Sequence, residues 1–158
     1  MIEVAAAVLE NREGRILIAR RRPEISMGGY WEFPGGKIES GETPAQCAVR
    51  ELREEMDIHI EAGPVLCENT HDYGNGKIVH LIAVQSVLLG GRFTLHDHDE
   101  IRWVSAHEMK DFLFAPADEP VAAFLIHNRE ALSKSNRILK AVPDMKEKPK
   151  HESDQRDT

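Results

Sequence analysis

The chain has 158 residues, 41% of them apolar and 30% charged, with a formal net charge of −7. That is enough for one domain with a proper core, and the acidic balance argues against a nucleic-acid polymer as partner, because such binding needs a broad basic face. No apolar run approaches the roughly 18 residues of a membrane helix, and "MIEVAAAVLENREG" carries Glu3 and Glu10 where a secretory signal would be basic. A cytoplasmic location is therefore expected, with Cys47 and Cys67 as free thiols.

In chain order, "IEVAAAVLE" and "GRILIARRR" are β-rich runs joined by "NREG" and predict a hairpin. "WEFPGG" forces a tight turn. Thr43, Pro44 and Gln46 then give a capping box with proline at the first helical position, which fixes a helix start. "GNGKIVHLIAVQSVLL" opens on an Asn75-Gly76 hairpin signal and continues as a long strand. Gly90-Gly91 turns the chain into "RFTL", and "IRWV" at 101–104 reads as a further short strand. Ser105 with Glu108 repeats the capping signature before "FLFAP". A last helix is expected from about Asp118 through "EPVAAFLIHNREAL", and residues 133–158 read as a charged, frayed tail behind a domain of residues 1–132. Strands around inserted helices imply a mixed α+β protein.

The helix of residues 44–56 carries the chemistry. At about 100° per residue, Ala45, Ala48, Val49, Leu52 and Met56 fall on one stripe, the expected core face. Glu51 and Glu55 share a flank roughly 80–120° away, with Glu54 just beyond. An exposed helix with an Arg50–Glu54 pair would also tolerate "RELREE". Upstream, however, stand Gly35-Gly36, which let backbone approach a ligand closely, and Glu42. Clustered carboxylates that repel one another are what a hard divalent cation needs, above all magnesium shared with substrate phosphates.

Residues 36–58 resemble the Nudix box, whose pattern is G-x5-E-x7-R-E-U-x-E-E-x-G-U with U aliphatic. Gly36, Glu42, Arg50, Glu51, Leu52, Glu54, Glu55 and Ile58 match at the required spacing. Asp57 stands where the family usually has glycine, a position that often needs a left-handed backbone; aspartate tolerates it better than most residues. "EFPGGKIESGETP" and "APADEP" extend the similarity to the MutT-type branch across roughly residues 1–130.

The resemblance implies an α/β/α sandwich around a mixed, curved β-sheet. It also implies hydrolysis of nucleoside triphosphates to monophosphate and pyrophosphate with Mg2+, or Mn2+ in its place. It implies metal binding by Glu51, Glu54 and Glu55, with the Gly35 carbonyl offered to the same ion, and Glu51 as a further candidate for the base. Arg50 is expected to orient the glutamates, and Glu42 to bind metal indirectly or brace the loop. In "HDHDEIRW", Asp97 lies six positions before Trp103, where the branch often has an acidic residue. It is a candidate general base or further metal ligand, or simply part of a solvated loop, with Asp99 and Glu100 as competitors. His96 and His98 have no cysteine or HExxH partner that would support a zinc site.

For substrate binding, Arg21 matches an arginine that contacts the nucleotide, while Arg20 and Arg22 should alternate to the other strand face. Phe33 would either wall the base pocket or belong to the core. Asp118 stands where 8-oxoguanine-selective members carry asparagine. An ionised aspartate only accepts hydrogen bonds, which suits cytosine or adenine; a protonated one can also donate, which suits an oxidised guanine. It could equally cap the last helix. The expected partner is a small nucleotide, with neither a nucleic-acid polymer nor a membrane, and the protein is expected as a monomer or homodimer. Two functions compete: a pyrophosphohydrolase acting on 8-oxo-dGTP or on CTP-like nucleotides, and a Nudix module that binds nucleotide without turnover.

Overall fold

Residues Ala5 to Leu9 are all buried, because strand β1 (Ile2–Glu10) lies inside a sheet covered on both faces. The computed structural model describes residues 1–128. Ala6 and Val8 join Ile16 and Ile18 of β2 (Ile16–Arg21) and Val121 and Leu125 of α2 (Glu119–His127) in one core layer. Ala7 and Leu9 join Leu17, Ala19 and the helix α1 (Pro44–Met56) residues Ala48, Leu52 and Met56 in the other. The period-two alternation of a strand distributes its apolar residues over both layers, which is the expected sandwich.

The sheet order is β3 (Trp31–Glu32), β2, β1, β6 (Ile78–Gly91), β5 (Ile58–Asp72). β4 (Gly35–Lys37) pairs with β1, and β7 (His98–Val104) with β2. β1 and β6 run parallel from Ile2↔Val79 to Glu10↔Val87 while the other pairs are antiparallel, so the sheet is mixed.

The expected hairpin at the start of the chain is only partly a hairpin. The Asn11 side chain accepts from the N–H groups of Glu13 and Arg15 at 3.1 and 2.9 Å, and Gly14 takes φ 79°. The arms pair only at Glu10↔Ile16 and then splay, because β4 occupies the edge of β1 from Val4 to Ala6 and β7 becomes the long partner of β2. The 15-residue β5 was not legible from residue pattern: it contains Gly63-Pro64, and its pairing with β6 shifts register between Ala62 and Val65. An edge strand tolerates that interruption where a central one would not. "RFTL" is a loop rather than a strand, and Gly90 and Gly91 belong to β6, where they pair with His59 and Ile58.

α1 ends as its chemistry requires. Thr43 and Gln46 form the reciprocal capping box, and Asp57 adopts φ 58°, ψ 37°, its N–H reaching Arg53 and Leu52. Ser105 and Glu108 exchange the same pair of bonds ahead of a short 3₁₀ helix, His107–Asp111. α2 runs to His127 with Asn128 as its C-cap; the continuation through "REAL" and the tail at 133–158 lie outside the described residues. No helix among the described residues is long and apolar enough to cross a membrane.

Candidate active site

The buried arc of α1 is rotated from the predicted stripe toward the glutamates. Val49 is 38% exposed, whereas Cys47 is fully buried beside Ala48, Leu52 and Met56. The cause is β4: the Cys47 thiol meets the carbonyls of Gly36 and Lys37 at 3.4 and 3.3 Å, drawing that side of the helix against the strand. Glu51 and Glu55 are carried with it into partial burial, while Glu54 stays exposed.

Arg50 is the hub of the cluster. It donates through Nε to Glu42 at 2.5 Å, through Nη1 to Glu51 at 3.0 Å and Glu54 at 3.2 Å, and through Nη2 to the Lys37 carbonyl at 3.0 Å. Hydrogen bonding from Arg50 holds the Glu42 carboxyl down at about 2. Glu42 also accepts from the Glu39 N–H at 3.0 Å, so it braces the loop as well as the arginine. The glycine pair explains itself by volume. A Cβ on Gly36 would overlap the Glu51 carboxyl group, and one on Gly35 would overlap the Ala5 carbonyl oxygen of β1.

Glu55 has no such cation. Burial first, then the charges of Asp97 and Glu51, push its carboxyl up to about 8, and Asp97 is close enough to share a hydrogen bond with it. Glu51 is also raised, by burial, against the opposing pull of Arg50. Asp97 therefore stands with the helix glutamates, whereas Asp99 and Glu100 are taken by Arg20 at 2.9 and 3.5 Å. A register shift between Arg20 and Arg21 in the β2–β7 pair separates these two destinations.

A second polar cluster adjoins the first. Arg21 donates through Nε to the Ser26 carbonyl at 2.6 Å and through Nη1 to Glu32 at 3.3 Å. His98, fully buried, meets the same Glu32 oxygen at 2.7 Å. The two histidines of the weak zinc reading thus diverge: His98 is committed to Glu32, while His96 is exposed and its carbonyl accepts from Arg22. Arg22 lies beyond the end of β2, so the expected alternation with Arg20 does not extend to it.

Asp118 is 5% exposed and makes no side-chain cap to α2. It accepts instead from the Phe33 N–H at 3.0 Å, and burial together with the Glu32 charge raises its carboxyl well above the usual range. The Phe33 ring is core, 2% exposed and stacked on Phe114 with centroids 5.2 Å apart, so it is the backbone that reaches Asp118. Glu32, Tyr73 and Asn69 are polar neighbours that sequence reasoning did not single out; Glu32 alone left a signal, as an acidic residue inside the otherwise apolar and glycine-rich "WEFPGG".

The NUDIX domain model matches residues 2–125. The chain belongs to the Nudix family. As a Nudix hydrolase it acts on phosphoanhydride bonds of small nucleotide substrates. It is 40% identical over 121 residues to the CTP pyrophosphohydrolase of Escherichia coli strain K12, covering 77% of this chain and 88% of that one. It is 42% identical over 77 residues to the 8-oxo-dGTP diphosphatase of Proteus vulgaris, covering 49% and 69%. Among solved structures, the MutT protein from Methanosarcina mazei Go1 superposes with a TM-score of 0.70 at 26% identity, covering 82% and 94%.

Nudix hydrolases generally use divalent metal ions. Among the described residues, no three Asp, Glu, His or Cys side chains already converge as a metal cage. Arg50 draws Glu51 and Glu54 to itself, and Glu55 leans on Asp97. The donor set nevertheless fits a hard cation: it is all oxygen, on one helix flank, with a glycine cleared beside Glu51 and a carboxyl at Glu55 that burial and then neighbouring negative charge disfavour ionising.

Proposed function

We propose that this Nudix hydrolase cleaves nucleoside triphosphates to the monophosphate and pyrophosphate with magnesium, and that its substrate is an oxidised or non-standard nucleotide such as 8-oxo-dGTP. The observation that carries the metal-dependent chemistry is the set of three carboxylates, Glu51, Glu54 and Glu55, on one flank of α1 beside Gly36, whose missing Cβ leaves the Glu51 carboxyl its room. Glu51, Glu54, Glu55 and the Gly35 carbonyl would hold the ion, which when bound neutralises the phosphate chain and activates water for in-line attack. Arg50 orients Glu51 and Glu54 and keeps the loop closed through Glu42. Asp97 takes the proton of the attacking water; Glu51 suits that role less, because Arg50 already occupies one of its oxygens at 3.0 Å. Arg21, fixed beside Glu32, faces the nucleotide.

Asp118 supports the oxidised-guanine reading. A carboxyl biased toward its neutral form both donates and accepts, as the amide of asparagine does. A second reading, CTP or dCTP, is favoured by the long match to a CTP pyrophosphohydrolase. Steady-state rates of pyrophosphate release from 8-oxo-dGTP, dGTP, CTP and dCTP, measured side by side with magnesium and with chelator, separate the two. The highest kcat/KM on 8-oxo-dGTP supports the first, the highest on CTP or dCTP the second, and activity that survives chelation contradicts both.

A further inference from the structure

The segment from Leu113 to Asp118 is gripped from both edges of the sheet. On the β3 side, Trp31 N–H donates to the Leu113 carbonyl and Ala115 N–H donates back to Trp31, each at 2.9 Å. Phe33 N–H then reaches the Asp118 carboxyl at 3.0 Å. On the β5 side, Asn69 Nδ2 donates to the Ala117 carbonyl at 3.0 Å, and Tyr73 Oη accepts from the Ala117 N–H at 3.1 Å. β3 and β5 close the two ends of the main strand order. The strap therefore crosses the sheet over the α2 core layer, with its end defined by two side chains from β5 and the turn that follows it.

Ala117 is 3% exposed, so its N–H and carbonyl have little water to turn to if those partners are removed. The carbonyl that Asn69 holds belongs to the same peptide plane as the Asp118 N–H, which itself donates to Ala115 at 2.9 Å. Fixing that plane fixes the Cα of Asp118 and the direction in which its carboxyl leaves. The strength of base discrimination depends on such placement, since a recognising group with room to move accommodates the wrong base as well as the right one. A phenylalanine at position 73 would fill the same space but offer no acceptor.

We propose that the Tyr73 hydroxyl and the Asn69 carboxamide are positioning groups for base selection, acting on Asp118 through the Ala117 peptide. The inference rests on Asp118 being the base contact. Its test is kcat and KM for 8-oxo-dGTP, dGTP, CTP and dCTP in the full chain carrying Tyr73→Phe, Asn69→Ala, Asp118→Ala, or Tyr73→Phe with Asp118→Ala. Tyr73→Phe should lower the kcat/KM ratio between the best and second-best nucleotide about fivefold, the scale of one hydrogen bond. The change should lie mainly in KM, with kcat moving less than about twofold. In the Asp118→Ala background, where no base contact is left to position, Tyr73→Phe should add little.

An unchanged ratio in Tyr73→Phe, with a changed one in Asp118→Ala, overturns the positioning role and leaves the base contact standing. An unchanged ratio in both removes the base contact, and the positioning role with it. An equal loss on all four nucleotides marks a general structural effect and also overturns the proposal. If Tyr73→Phe does not fold, as judged by thermal melting, Asn69→Ala reads the same ratio against the same expectations.

Discussion

Arg50 and Glu42 meet twice, Nε to Oε2 at 2.5 Å and Nη2 to Oε1 at 3.0 Å, and this fork ties α1 to the loop that precedes it. A lysine keeps the charge but cannot make a planar two-point contact while also reaching Glu51 and Glu54. Arg50→Lys should therefore lower kcat about 10- to 100-fold at saturating magnesium, the usual cost of losing a partner that orients metal ligands. Turnover at the wild-type level would show that the fork is not needed for the reaction. The same variant should be less stable than wild type near neutral pH, with the gap closing in acid. Glu42 is held down at about 2 chiefly by Arg50, so its contribution is present above the ordinary glutamate range and lost as pH falls toward 2.

Glu55 gives the opposite sign. Its carboxyl is raised to about 8 in the folded protein, whereas an unfolded glutamate titrates near about 4.3. The metal-free native state thus holds that proton more tightly, and stability should fall as pH rises from about 4.3 toward 8. Thermal melting in chelator should show the decline. Magnesium should abolish it, and Glu55→Gln should be flatter with pH and more stable than wild type at pH 8. The same variant should lose turnover by orders of magnitude. Wild-type-like activity in Glu55→Gln, or a decline indifferent to magnesium, would contradict the assignment.

The two glycines before the helix should fail differently. A methyl group on Gly36 meets the far end of the Glu51 side chain, which can swing aside. Gly36→Ala should therefore fold near the wild-type Tm but turn over poorly and need more magnesium. A methyl group on Gly35 meets the Ala5 backbone in the middle of the sheet, which has nowhere to go. Gly35→Ala should lower Tm by several degrees or fail to fold. Equal melting temperatures for the two would count against this account.

Asp118→Asn keeps an oxygen for the Phe33 N–H while making the donor permanent. It removes the cost of crowding a carboxyl against Glu32 in a buried setting. The variant should be at least as stable as wild type and shift kcat/KM toward 8-oxo-dGTP relative to CTP and dCTP. An unaltered profile would leave Asp118 as a structural link between β3 and α2.

Residues close in sequence were read well, since their geometry follows from helix pitch and turn chemistry alone. Thr43 and Gln46 start α1, Asp57 ends it in the left-handed region, and Arg50 lies within reach of Glu54 one turn on and of Glu42 at the loop. The spacing of Glu51, Glu54 and Glu55 on one flank was equally readable. The orientation of that flank was not: the helix turned its glutamates inward because Cys47 settled against β4, a contact across the chain that no wheel contains.

The sequence by itself determined the fold family, the ends of the main helix and the crowding of carboxylates along its edge, because each depends on residues within a few turns of one another. The tertiary structure alone decided which acids share the site. A register shift beside Arg20 sends Asp99 and Glu100 to that arginine and leaves Asp97 for Glu55, while a strap held by β3 and β5 buries Asp118 beside Glu32. Strand partners some 80 positions apart set those distances, and local periodicity carries no record of where such partners come to rest.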